Sequence, residues 1–154
     1  MVNNKISAGL LMYRRKNKQL EVFLVHPGGP FFKFKDKGSW SIPKGLRHDN
    51  EDFFETAKRE FTEETGIGLP DNTAYYELGS TTYPNGKVVH CWAFENDLSD
   101  NFVLKSNKIP LIGGRQGWAE VDKGEFFDTS TATVKILPAQ KPFIDRLRRV
   151  LSGE

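Results

Sequence analysis

Three carboxylates, Glu60, Glu63 and Glu64, fall at i, i+3 and i+4 within Arg59-Glu60-Phe61-Thr62-Glu63-Glu64-Thr65-Gly66-Ile67. On a helix this spacing crowds them onto one side of a single turn. The crowding is unfavourable by a few tenths of a kcal/mol per pair, and Gly66, which predicts the helix end, sets the negative end of the dipole beside them. Something positive must compensate. Arg59 is one candidate, and a hard divalent cation is the other, because clustered oxygen ligands are its usual host. An acidic helix face carrying a Glu55/Arg59 pair at i, i+4 is also ordinary solvated surface, so helical spacing alone leaves both readings open.

The elements around this stretch decide what it can be. Ile6 to Arg14 and Leu20 to His26 are rich in strand formers and flank Lys16-Asn17-Lys18, which predicts a hairpin ended by Pro27-Gly28-Gly29-Pro30. Phe31 to Gly38 alternates phenylalanine with lysine and reads as a surface loop whose aromatics tuck back into the core, with a substrate-facing role as the competing reading. Trp40-Ser41-Ile42 predicts a short strand closed by Pro43-Lys44-Gly45, and Asp49 or Asn50 predicts the cap of the acidic helix, with Glu51 and Asp52 in its first turn. Phe54, Ala57 and Phe61 make an apolar stripe beside the carboxylates. Phe53 can either pack or line the mouth of a site. Tyr75 to Tyr83 and Lys87 to Phe94 flank Pro84-Asn85-Gly86, a strong hairpin signal. Further extended segments are expected at Gly117 to Val121 and Glu125 to Phe127. Phe143, Leu147, Val150 and Leu151 predict a last amphipathic helix from Pro142 to Ser152 with Arg146, Arg148 and Arg149 on its outer face.

At 154 residues, 27% charged and 38% apolar, the chain has the size and composition of one globular domain, expected over 1–154. A net charge of +2 from 22 basic and 20 acidic residues argues against a duplex nucleic-acid binder and leaves a small anionic substrate open. The single Cys91 cannot form an internal disulfide and reads as a buried structural thiol. The apolar run Ala8 to Tyr13 is too short for a membrane span and lacks signal-peptide design, which makes the cytoplasm the expected location. Strands before and after a central helix predict an α+β or mixed sandwich.

Written out, the stretch is Gly45, five residues, Glu51, seven residues, then Arg59 to Ile67. This pattern resembles the signature of the Nudix hydrolases, departing only at Phe61, where that family usually has an aliphatic residue. The resemblance implies an α/β/α sandwich around a mixed β-sheet and metal-dependent hydrolysis, with Mg²⁺ or Mn²⁺, of a nucleoside diphosphate linked to another group. It implies Glu60, Glu63 and Glu64 as metal ligands, helped by a backbone carbonyl near Lys44, with one of the acids instead handling the proton of the attacking water. Arg59 would orient Glu60 and Glu51 would support it from behind, while the Lys44 side chain would contact phosphate. By analogy with mutator-type triphosphate pyrophosphohydrolases, Glu120 is a further base or ligand, in competition with Asp122 and Glu125.

Substrate choice lies outside the signature. Tyr83 resembles a tyrosine of diadenosine polyphosphate hydrolases and Pro84 a proline of ADP-ribose pyrophosphatases, while Tyr83-Pro84-Asn85-Gly86 is also good turn chemistry. Dinucleoside polyphosphates and nucleoside triphosphates are the leading substrate classes, with ADP-ribose-type compounds behind them. The expected partner is a small nucleotide, and the protein is expected to be a monomer or homodimer. Of the histidines, His48 alone falls near the expected site.

Overall fold

The computed structural model describes residues 6–105, 108–109 and 118–153. Its frame begins with the first hairpin, in which β1 (Ile6–Lys16) and β2 (Gln19–Pro27) pair from Tyr13↔Val22 to Lys16↔Gln19. Asn17 and Lys18 turn the chain with φ of 52° and 63°, the left-handed pair that a two-residue hairpin of right-handed twist requires. The strands run slightly longer than expected because the turn takes only two residues.

β1 is the spine of the sheet. From Ile6↔Val88 to Tyr13↔Glu95 it runs parallel to β5 (Val88–Glu95). β5 pairs antiparallel with β4 (Tyr76–Thr82), and β2 pairs antiparallel with β8 (Val121–Asp128), giving the order β4-β5-β1-β2-β8. One parallel pair among antiparallel ones makes the sheet mixed. A short strand, β3 (Lys44–Leu46), pairs with β1 at Ser7 to Gly9, on the edge that β2 has left by that point. β6 (Lys108–Ile109) and β7 (Trp118–Ala119) form a separate two-stranded ribbon.

The central strands are covered on both faces, which is why Ala8 to Tyr13 reads as a continuous apolar run. The period of two divides them between two cores. Ala8, Leu10, Met12, Phe23 and Val25 face α1 (Phe53–Thr65) through Ala57 and Phe61. Leu11, Tyr13, Val22 and Leu24 face α2 (Thr129–Lys135) and α3 (Lys141–Ser152) through Ala132, Phe143, Ile144 and Leu147. This is the α/β/α sandwich within the α+β class. Phe61 is fully buried against Phe94, so the departure from an aliphatic residue is absorbed by an edge-to-face aromatic pair.

Several local expectations are corrected. The helix cap is Asp52, which accepts from the Phe54 amide, rather than Asp49 or Asn50, and Glu51 lies outside the helix. Trp40 and Ser41 make only isolated bridges, to Ile136 and Val25, and Lys44 and Gly45 belong to a strand instead of closing one. Phe31 and Phe34 do not tuck in, being 72% and 91% exposed, because the loop turns back on itself through the Phe32 amide to Gly29 and the Lys35 amide to Phe32. The segment expected as one strand from Gly117 to Val121 divides at Glu120 between β7 and β8; Gly117 lies outside the described residues. Of the arginines expected on the outer face of α3, Arg146 turns inward and donates to the Leu78 and Ser80 carbonyls at the β4 bulge, whereas Arg148, paired with Asp145, and Arg149 are exposed. α2 escaped the sequence reading, although Asp128 three residues before Thr131 is a capping signal. Cys91 is fully buried and its thiol is pushed up by desolvation, as a structural residue should be. No helix among the described residues is long and apolar enough to cross a membrane.

Candidate active site

The acidic face of α1 lies against the edge of β3, so one helix and one short strand build most of the site. Asp52 caps the helix start and Gly66, with φ of 75°, caps its end by donating its amide to Thr62. Between those caps, Arg59 is the hub. Its guanidinium grips Glu51 in a fork, Nε to Oε2 at 2.8 Å and Nη2 to Oε1 at 3.0 Å, and also donates to the Leu46 carbonyl at 3.0 Å. Nη1 reaches Glu60 Oε2 at 3.0 Å and Glu63 Oε1 at 2.6 Å. Glu51 completes its own shell with the His48 amide and the Thr56 hydroxyl. Charge-assisted bonds of this kind hold the Glu51 carboxyl far below the usual range, with the Arg59 bonds as the largest cause. The expected Glu55/Arg59 pair does not form; Glu55 takes Lys58 instead.

Gly45 has a steric reason to be glycine. A Cβ there would meet the Glu60 carboxylate at 2.0 Å from Cδ and 2.2 and 2.3 Å from its two oxygens. The Glu60 carboxylate therefore lies directly over the β3 backbone.

Both candidate cations from the helical crowding have a part. Arg59 neutralises Glu63 and one oxygen of Glu60, but none of the ion pairs among the described residues involves Glu64 or Glu120. Glu64, 5% exposed, accepts the Lys44 amide, at 3.3 Å, from the backbone of β3 and contacts Glu120. Its carboxyl is pushed well above the ordinary value, first by desolvation and then by the neighbouring charge of Glu120. Glu60 is raised too, with burial as the first cause and Glu63 and Glu120 adding to it against Arg59. Carboxyl oxygens of Glu60, Glu64 and Glu120 converge within 4.8 Å of one another. Three half-buried or buried carboxylates, two of them held above the ordinary range and all offering hard oxygen donors, suit a hard divalent cation.

Glu120 enters this cluster from the other end of the chain. At the bend before β8 the pairing with β2 slips between His26 and Pro27, and the Gly28 amide bonds to the Glu120 carbonyl at 3.0 Å. That slip aims the side chain at α1. Its competitors lie elsewhere: Asp122 bonds to His26 Nδ1 at 2.9 Å, and Glu125 pairs along β8 with Leu24. Glu63, expected beside Glu60 and Glu64, lines the cleft but is held by Arg59 and is absent from the converging set.

A cleft of about 780 Å³ opens over Glu60, Glu63 and Glu120. Lys44, Arg47, His48 and Lys87 line it together with Arg59, so a polyanion entering it meets positive charge on two sides. Tyr83 also lines the cleft, its hydroxyl fixed by the buried Gln140 amide at 2.7 Å. Phe53 does not face the cleft; it stacks on His90 and carries Arg47 on its ring. Sequence reasoning missed Arg47, Lys87 and Gln140, since nothing in their spacing ties them to the motif.

A family model described as the NUDIX domain matches residues 3–146. Nudix hydrolase 7 of Arabidopsis thaliana is 39% identical over 62 residues, which are 40% of this chain and 21% of that protein, so the chain spans about a fifth of that relative. Among solved structures, a C. elegans Ap4A hydrolase binary complex superposes with a TM-score of 0.70 at 21% identity, covering 96% of this chain and 99% of that one. The NUDIX domain of Shewanella oneidensis NrtR complexed with ADP ribose follows at 0.65 and 16%, covering 98% and 90%. A MutT protein from Methanosarcina mazei gives 0.63 and 18% over 98% and 99%. These likenesses establish the fold, and the family match runs across both cores and the acidic helix between Gly45 and Ile67: the chain belongs to the Nudix family.

Proposed function

We propose that this protein hydrolyses a phosphoanhydride bond in a nucleoside diphosphate-linked substrate, with Mg²⁺ or Mn²⁺ held by Glu60, Glu64 and Glu120. The observation that carries the reading is the convergence of those three carboxylates beneath a cleft lined by cations. When bound, a divalent ion neutralises phosphate charge and lowers the pKa of a water in its shell. The chain's own residues do the rest. Arg59, itself fixed by Glu51, orients Glu60 through Nη1, and the Gly45 backbone leaves room for that carboxylate. Lys44 contributes its amide to Glu64, and its side chain with those of Arg47, His48 and Lys87 binds the phosphates. The proton of the attacking water goes to Glu63, which lines the cleft without joining the three converging acids.

Dinucleoside polyphosphates and nucleoside triphosphates are the leading substrate classes; ADP-ribose-type compounds follow. The size of the cleft supports a polyphosphate, and Tyr83 supports its substrate role by lining that cleft with a fixed hydroxyl. Incubation with Mg²⁺ and a panel of dinucleoside polyphosphates, nucleoside triphosphates and ADP-ribose, followed by ion-exchange separation, tests the proposal. Products from one class that vanish with EDTA and in Glu64→Gln support it. No product from any class, with nucleotide still bound, identifies a nucleotide-binding module instead.

A further inference from the structure

The polar cleft does not account for a second cavity that opens beside it. This recess, of about 240 Å³, shares Lys44 and Glu120 with the cleft and reaches Glu64, but its other walls are apolar, built by Val25, Pro27, Phe32, Ile42 and Leu137 among others. Sites for whole drug-sized ligands run to about 300–1,000 Å³. A volume below that range suits one ring system rather than an entire nucleotide.

Phe32 is the unusual member of the wall. It is half-buried and, among the described residues, belongs to neither hydrophobic core. The segment that carries it is nevertheless pinned at several points. His26 Nε2 holds the Lys35 carbonyl at 2.6 Å, Asp36 accepts from the Trp40 indole at 2.8 Å and pairs with Lys135, and the Gly38 amide bonds to the Val134 carbonyl. Phe31 meets the Phe32 ring edge-on, with centroids 4.8 Å apart. The loop thus presents a fixed aromatic ring beside the acids, and Lys33 and Lys35 lie over the outer rings of Phe34 and Phe31.

We infer that this recess is a nucleobase subsite, in which a base of the substrate lies against Phe32 while its phosphates occupy the cleft above Glu60, Glu64 and Glu120. The inference rests on the phosphoanhydride reading. A substrate whose phosphates are anchored at the carboxylates can place a flat base in this apolar, ring-sized recess, which shares Lys44 and Glu120 with the cleft and reaches Glu64. Stacking tolerates any base and offsets its desolvation in the apolar wall.

Calorimetry on the full chain with Mg²⁺ tests this without turnover. The probes are α,β-methylene diphosphates of adenosine, guanosine and uridine, which resist hydrolysis, and methylenebisphosphonate, which has the same phosphonate bridge and no base. The wild type should bind the best nucleoside probe at least about tenfold tighter than methylenebisphosphonate. Phe32→Ala should remove about tenfold or more of nucleoside affinity, the range for loss of one base–aromatic stack, and leave methylenebisphosphonate unchanged. Phe32→Leu, which keeps apolar volume, should show the same split, and Phe34→Ala, on an exposed ring outside the recess, should change neither. Equal wild-type affinity for probes with and without a base, no effect of Phe32, or equal losses on both probes would each overturn the subsite. Because these are binding measurements, they separate failure of the recess from failure of the hydrolytic reading: a protein that turns over no nucleotide still shows whether a base binds against Phe32.

Discussion

Replacing Gly45 by alanine separates site geometry from fold stability. The added Cβ would stand 2.0 Å from Glu60 Cδ, whereas carbon atoms in contact lie about 3.5–4.0 Å apart. The carboxylate must therefore retreat by on the order of 1 Å or more. Because it is the far end of a flexible side chain, it can do so without moving β3 or α1, and the backbone at Gly45 does not need a positive φ. Alanine also narrows the unfolded ensemble by about 0.4–1 kcal/mol, so net stability should change by less than about 1 kcal/mol. Catalysis has no such latitude: constellations need placement to about 0.5 Å, and a displacement of about 1 Å costs about 10²-fold. Gly45→Ala should thus melt within a few degrees of the wild type while kcat falls about 100-fold on the substrate the panel identifies. The Gly45→Ala/Glu60→Gln double variant should be no worse than the poorer single one, since both remove the same carboxylate. Activity within threefold of wild type, or a melting point lowered by more than about 4 °C, would refute the reasoning.

Other consequences follow from the same geometry. Glu51→Ala removes both arms of the Arg59 fork and should lower the urea midpoint by an amount equivalent to about 2 kcal/mol, and weaken Mg²⁺ binding, read by calorimetry, by about 10–100-fold. The raised carboxyls of Glu64 and Glu60 set a pH trend in the metal-free protein. A folded-state pKa above the unfolded value means that the native state binds more protons, so stability from these groups is greatest below the ordinary value of 4.5 and declines as pH rises through the folded values. Thermal melts in EDTA should fall with pH over that window, Mg²⁺ should restore stability most at the alkaline end, and Glu64→Gln should flatten the trend; melts that rise with pH and ignore Glu64→Gln would contradict it. Gln140→Leu leaves the buried Ile42 amide, the Ser41 hydroxyl and the Tyr83 hydroxyl without their partner, and should cost about 2–3 kcal/mol in denaturant unfolding.

Much of the frame was readable because it rests on local rules. The strand formers of β1 and β2, Asn-Gly between β4 and β5, the stripe of α1 and the Gly66 cap are short-range patterns, and each appears where expected. The misses occur where a long-range partner outweighs a local preference. Lys44 and Gly45 look like the end of a strand but are recruited by the free edge of β1, and Glu51 looks like a first-turn helix residue but is claimed by Arg59. Phe31 and Phe34 read as core by composition, yet the hydrogen bonds that pin their loop leave them outside.

Spacing within one segment is enough to put Glu60, Glu63 and Glu64 on a helix face with Arg59 and to set Gly45 and Glu51 at fixed intervals before them, and hence to give the family. Helical periodicity and chain spacing are properties of a single segment, so one segment suffices to state them. Which acids converge is decided only by the tertiary structure. Arg59 draws Glu63 away, and the slip between β2 and β8 brings in Glu120 across the sheet, because ion pairing and strand register depend on groups far apart in the chain. The same is true of the cationic walls of the cleft and of the recess behind Phe32: they exist only once the β4–β5 hairpin, the loop after β2 and the segment before α3 have been packed against β3 and α1.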